Sequence, residues 1–396
     1  MSSPLLRQAL VLGALSTVGP FAIDMYLPAM PAIADDIGAT VPAMQGTITA
    51  YFIAFGLAQL IYGPWADQAG RRVPLYAGLA IFIIGSVICT FATSPEALMA
   101  GRFVQGLGGA AVMVVPRAII RDLYTGHEAT RLMAAIMLVI SVSPMLAPLA
   151  GAGLIAVTDW RAIFGFLGVA ALASLAMTRF VLPETLPASA RQPVSVAALW
   201  AGAKMLLTHR GFLGLTFLGG FGMASFFVFI ASASFVYSEA FGLSPTGFSL
   251  AFAVNALGFF AASQMAAGLG QKHGAVTVAL WATAGFAAFT VGLFVVALLG
   301  LTSLPVVIGG LFLANACLGL VIPTTMVLAL EEHGEHAGLA SSLGGTLQML
   351  AGGAMIAVTG PFFDGTVVPM LAAIALCGVL ALVLSRVVVV RQPALA

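Results

Sequence analysis

Asp24 lies in the stretch PFAIDMYLPAM, Pro20 to Met30, near the end of an apolar run that starts around Leu5. Of 14 acidic residues it alone falls well inside such a run. Arg102 lies inside another, in GRFVQGLGGAA. A charge is costly in hydrocarbon, so an acid placed there has a partner or a function. Asp24 stands about four residues and Arg102 about five residues from the matching ends of their runs, so at ~1.5 Å rise per residue both reach a similar depth. Two chemistries fit. A fixed ion pair would be structural. A proton site would exploit the opposing pulls of desolvation and a nearby arginine, whose balance moves when a cavity opens or a substrate enters. We expect Asp24 and Arg102 to serve proton coupling. Met25 and Tyr26 are expected to line the same cavity and, with Asp24 and Arg102, to contact substrate.

A second charged group lies between runs. GPWADQAGRR, Gly63 to Arg72, carries Asp67, Arg71 and Arg72, and Arg121-Asp122 ends the run that holds Arg102. These residues can form a polar latch, with Gly63 and Gly70 allowing a tight turn and close helix contact. A plain basic anchor would explain the two arginines but not Asp67.

Composition dictates the elements that position these groups. Of 396 residues, 61% are hydrophobic and 7% charged, against ~45–50% and ~25% in soluble domains. Twelve apolar segments follow, roughly 7–28, 43–63, 74–93, 97–119, 131–153, 161–182, 211–236, 246–268, 275–299, 304–328, 338–360 and 367–386, each long enough to cross a bilayer as a helix. The N-terminal run resembles a signal peptide in its single arginine, but its length predicts a first span. Membrane strands would alternate polar and apolar residues, and these runs do not. The 45 glycines suit closely packed helices.

With an even span number and a cytoplasmic start, twelve of the 15 basic residues face inward and only Arg161 faces outward, while Arg102 and Arg117 lie within a span. That bias predicts both termini in the cytoplasm. The long polar connection 183–210 divides a six-span half, 1–182, from a second, 211–396. A faint repeat supports the division: Gln59 and Gly63 match Gln264 and Gly268 after the second span of each half. WAGAKMLL within the connection reads as a short interfacial helix.

The second half has no charge inside a span. It offers Phe226 and Phe229, with Asn255 and Gln348 as polar candidates, which suits lipophilic or amphiphilic compounds. Pro144 and Pro148, four apart, predict a bent fifth span, and Gly151 and Gly153 are expected to allow close approach of the other half there. The cysteines, Cys89, Cys317 and Cys377, have no metal spacing. The histidines, His127, His209, His273, His333 and His336, all fall on connections. No phosphate-binding glycine loop is present, so a nucleotide cofactor is not expected, and basic residues form no nucleic-acid patch. With one intramembrane acid and no intramembrane histidine, a membrane-embedded enzyme is not expected either. A transporter-like sensor without flux remains an alternative.

GPWADQAGRR resembles the loop 2–3 signature of the major facilitator superfamily. GRFVQGLGGAA is similar to its fourth-span motif, and SPMLAPLAGAGL, Ser143 to Leu154, to the fifth-span motif of drug:proton antiporters. Two small-for-small departures occur there, Ala147 before Pro148 and Ala152 in the final pair. DWRAIF and LPETL continue the likeness. DMYLPAMPAI and FVYSEAFGLSP resemble the bicyclomycin/chloramphenicol-resistance subfamily. The resemblance is dense in the first half and thin in the second. It implies an all-α membrane fold of twelve helices in two pseudo-symmetric halves, the latch role for the loop residues, and a conformational role for Pro144, Pro148 and Gly151. It also implies proton-driven export of small compounds such as phenicol- or bicyclomycin-like antibiotics by a monomer in a bacterial inner membrane. Export of a native metabolite or siderophore by the same machinery is the alternative.

Overall fold

The computed structural model describes residues 3–124, 126–191, 193, 195–331 and 337–388. Those residues are helical throughout their apolar segments, and no strand occurs among them. His333 and His336 lie outside the described residues. The reason for helix is elementary. Hydrocarbon offers no hydrogen-bond partner, so each span must satisfy its own backbone.

The first half contains α1 (Ser3–Asp24), α2 (Met30–Ile37), α3 (Val41–Ala69), α4 (Arg72–Thr90), α5 (Pro95–Leu123), α6 (Gly126–Val157) and α7 (Arg161–Phe180). The second contains α8 (Val196–Thr208), α9 (Arg210–Glu239), α10 (Pro245–His273), α11 (Ala275–Leu298), α12 (Leu304–Glu331), α13 (Ala337–Thr359) and α14 (Val367–Val388). Twelve segments are long and apolar enough to cross a membrane, α1 and α2 together forming the first. The remaining apolar helix, α8, is too short to span and lies in the connection. The chain divides into two compact units, Met1–Val196 and Ala197–Ala396.

Start signals are explicit. Thr40, Ser94 and Ser244 accept hydrogen bonds from the backbone N–H three residues on, and a proline opens the first turn of α3, α5 and α10. A short polar cap followed by proline is a strong helix start.

Inside the first unit α5 packs on α3 and α4, α4 on α7, and α1 on α5 and α6. Inside the second, α12 packs on α10 and α11, α11 on α14, and α9 on α12 and α13. The second list repeats the first position by position, so the two halves share one internal plan.

Several helices outrun the apolar segments. At ~1.5 Å per residue α3, with its 29 residues, exceeds the ~30 Å hydrocarbon thickness. Gly63 therefore lies inside α3, with open space where a side chain would project. It makes no turn, contrary to the sequence expectation. The turn belongs to Gly70, whose φ of +91° favours glycine, and a Cβ there would collide with the Glu184 carboxylate.

Candidate functional site

The first span is not continuous. α1 stops at Asp24, a 3-10 turn covers Leu27–Ala29, and α2 carries the chain on to Ile37. Proline explains the interruption. Pro28 has no N–H to offer the carbonyl one turn back, which is that of Asp24, and its ring crowds that turn. The sequence predicts an end near residue 28; the break instead places Asp24 at a helix terminus within the span. Asp24 is 4% exposed, while Met25 and Tyr26 are buried beside it.

A helix end leaves carbonyls without intrahelical partners. Arg102, from α5, supplies one: its Nη1 donates to the Ala22 carbonyl at 2.9 Å and also to Gln105 Oε1. A cation at a helix C-terminus is favoured by the backbone dipoles as well. The guanidinium carbon stands 4.4 Å from the Tyr51 ring centroid, 5.0 Å from that of Tyr26 and 6.0 Å from that of Phe164. Arg102 is fully buried.

The fixed ion pair, the alternative to a proton site, does not form. Among the described residues Asp24 and Arg102 form no contact within ion-pair distance, because Arg102 is turned onto the Ala22 carbonyl, Gln105 and the rings. Its Nε and Nη2 are buried with no hydrogen-bond partner. The site thus holds a carboxyl at a helix end and, bonded to the carbonyl two residues before it, a guanidinium with two unused donors.

Surrounding residues fix the rotamers. Gln105 Nε2 donates to Ser86 Oγ at 2.9 Å, and Ser86 Oγ to the Phe82 carbonyl at 2.9 Å. Tyr26 Oη shares a 2.9 Å hydrogen bond with Thr47 Oγ1, which donates to the Met44 carbonyl. Tyr51 Oη donates to the Gly19 carbonyl at 3.3 Å. Sequence reasoning assigned no role to Tyr51, Gln105, Ser86, Thr47 or Phe164. Gln105 alone had a signal, being three residues from Arg102 and so on its helix face.

At the opposite side of the break, Asp36 of α2 accepts from Trp160 Nε1 at 3.0 Å and from Arg161 Nη1 at 2.9 Å. Arg161 also meets Asp159 and covers the Trp160 ring at 4.2 Å. This ties α2 to the turn before α7. Within α6, Gly151 faces the Met25 carbonyl so closely that a Cβ would stand 2.0 Å from it. The close approach made by Gly151 is therefore to the broken span of its own half. Pro144 and Pro148 lie inside α6 without ending it.

The loop group forms at the basic end. Arg71 Nε and Nη2 grip the two Asp122 oxygens at 2.7 and 2.9 Å, and Nη1 reaches Asp67 at 2.5 Å. Burial opposes the Arg71 charge, but the two carboxylates outweigh it and hold the guanidinium above its ordinary range. Thr185 donates to Asp122 at 2.8 Å. Glu184 accepts from the backbone N–H groups of Arg71 and Arg72 at 2.8 and 3.1 Å and of Leu186 at 3.0 Å. Burial tends to raise the Glu184 carboxyl, yet these three donors pull it below its usual range. Two expected members stand apart. Arg72 turns to Tyr76 and the Arg179 carbonyl, and Arg121 is exposed without an ion pair among the described residues. Glu184 and Thr185 were missed, though LPETL contains both.

In the second half Phe226 stacks on Phe259 at 6.2 Å, and Phe229 on Phe252 at 5.5 Å. Asn255 is buried, donates to the Ala251 carbonyl at 3.2 Å, and leaves its Oδ1 without a partner. Gln348, on α13, packs against Gly219 and Gly220 of α9. No group of three or more metal-ligating side chains occurs among the described residues.

Comparison with known proteins agrees with this architecture. The family model of the Major Facilitator Superfamily matches residues 12–357. An uncharacterized MFS-type transporter of Bacillus subtilis is 32% identical over 92% of the chain and 91% of its own length. A bicyclomycin resistance protein homolog of Haemophilus influenzae is 30% identical over 94% and 93%. Among solved structures, a bacterial homolog of the human lysosomal transporter Spinster superposes with a TM-score of 0.75 at 16% identity, covering 100% of this chain and 98% of that one. At that identity the likeness concerns the fold alone.

Proposed function

Because the chain belongs to the major facilitator superfamily and is a transporter rather than an enzyme, we propose that it exports small amphiphilic or lipophilic compounds in exchange for protons. The observation that carries this reading is the Asp24–Arg102 geometry: a buried acid without a contacting cation, near a buried arginine with two unused donors. Protonated Asp24 needs no counter-charge. Ionised Asp24 does, and Arg102 Nε and Nη2 are the donors to supply it. Loss and gain of one proton then exchanges two arrangements of the broken span, and the exchange is the coupling event. A cationic or hydrogen-bonding substrate competes for the ionised carboxylate.

The latch of Asp67, Arg71, Asp122 and Glu184 ties α3, α4, α5 and the segment after α7 together at the basic end, and holds one state of the cycle. The aromatic cluster around Phe226 and Phe229 selects the substrate. The relative named for bicyclomycin resistance supports a drug-like substrate class, bicyclomycin- or phenicol-like antibiotics among them. The protein acts as a single chain in a bacterial inner membrane, with the basic end cytoplasmic, and draws on the proton gradient rather than on a bound cofactor.

The test is transport in proteoliposomes under an imposed pH gradient, with a panel of lipophilic cations and neutral antibiotics. The unaltered protein is expected to concentrate at least one compound. Asp24→Asn is expected to lose gradient-driven accumulation while retaining its melting temperature and its binding of neutral compounds. Accumulation by Asp24→Asn equal to that of the unaltered protein would remove Asp24 as the coupling site.

A further inference from the structure

A cavity of about 620 Å³ opens at the basic end of the first half, between the start of α1 and the ends of α5 and α7. It does not include Asp24, Arg102 or the three carboxylates of the latch. Its size lies in the ~300–1,000 Å³ range of small-molecule sites. Its polar groups are Arg72, Arg179 and Gln8, and no acidic side chain lines it. Among the described residues the Arg179 guanidinium has no hydrogen-bond partner, and Gln8 Oε1 is buried without one. The rest of the wall is apolar, including Leu12, Ile119 and Phe180. Phe180 is 83% exposed at the last residue of a membrane-spanning helix. Two cations and an unpaired acceptor thus sit above an apolar slot that runs onto the bilayer-facing surface.

We propose that this cavity binds an anionic glycerophospholipid of the phosphatidylglycerol type. Its phosphate lies on Arg72 and Arg179, and the acyl chains leave over Phe180. Charge complementarity selects an anion, and the apolar wall selects a lipid over a soluble anion.

The test uses purified, delipidated full-length protein in detergent, titrated with phosphatidylglycerol, phosphatidylcholine or inorganic phosphate and read by native mass spectrometry and lipid-dependent melting. Phosphatidylglycerol is expected to bind at least tenfold more tightly than phosphatidylcholine. Arg179→Gln should weaken it about fivefold, the effect of one basic residue at a lipid surface, and leave the lipid-free melting temperature unchanged because that side chain has no partner. Arg210→Gln, outside the cavity, should change nothing. Equal binding of the two lipids would overturn the proposal, as would equal losses in both arginine variants. Displacement of phosphatidylglycerol by millimolar inorganic phosphate would show a free-anion site instead and overturn the lipid assignment.

Discussion

Arg102 has no carboxylate in contact, and three aromatic rings with two carbonyl oxygens hold it in place. A desolvated cation over a ring gains about 2 kcal/mol, so Tyr51, the nearest, carries a large share. Tyr51→Phe keeps the ring and loses only a long hydrogen bond to Gly19, a cost of about 1 kcal/mol or less. Tyr51→Leu removes the nearest of the three rings. Transport is expected to survive the first change within about threefold and to fall at least tenfold in the second, that being 1.4 kcal/mol. Rates in proteoliposomes at matched protein density decide it, and equal losses would assign the role to the hydroxyl instead. Asp24 and Arg102 were legible in the sequence because a charge in an apolar run is conspicuous. Tyr51 was not, since an aromatic residue in such a run is ordinary until a distant helix brings a cation over its face. The failed ion pair has the same origin: depth along two helices was readable, whereas the rotation of Arg102 depends on Gln105 and on the carbonyls freed by Pro28.

Glu184 acts on the turn between α3 and α4 as an anion at the start of a helix. It takes the N–H groups of Arg71 and Arg72 where α4 begins, while Gly70 supplies the positive φ that brings them to it. Its carboxyl is held below the ordinary glutamate range. The stabilisation is therefore complete above that range and is lost as pH falls below it, through the lowered value at which the native carboxylate gains its proton. Glu184→Gln is expected to lower stability by about 1 kcal/mol at neutral pH, a charge-assisted value reduced by solvent exposure. The same variant should show a shallower loss of melting temperature in acid than the unaltered protein, measured from pH 7 downward in detergent. Parallel acid limbs would mean that Glu184 is not the titrating clamp. The turn itself was readable from GPWADQAGRR, but its partner 113 residues away left no trace in local spacing. Helix lengths were underestimated for a related reason. Apolar runs mark the hydrocarbon, and the polar ends of α3 and α5 continue as helix beyond it because their hydrogen bonds need no bilayer.

Across the whole molecule the two halves follow one packing plan with different chemistry. The twelve spans could be read from hydropathy and charge alone, because bilayer thickness and the cost of a buried charge act directly on sequence. The proposed sidedness rests on the basic bias, and one substitution checks it. Ser189 is exposed in the connection, while Cys89 and Cys377 are buried. Ser189→Cys is expected to react with a membrane-impermeant maleimide in inverted vesicles and not in intact cells. Labelling from outside the cell would reverse the assigned orientation.

In the second half charged residues stand only at the ends of the described spans, whereas the first half holds Asp24 and Arg102 well inside its spans. This separation has a consequence for descent. Exchanging one aromatic or small residue for another in α9 or α10 disturbs no buried ion and leaves no charge without its partner. Such changes can accumulate singly, each filtered only by packing. Under the proposed function, specificity can therefore drift through the second half while Asp24, Arg102 and the latch are inherited unaltered.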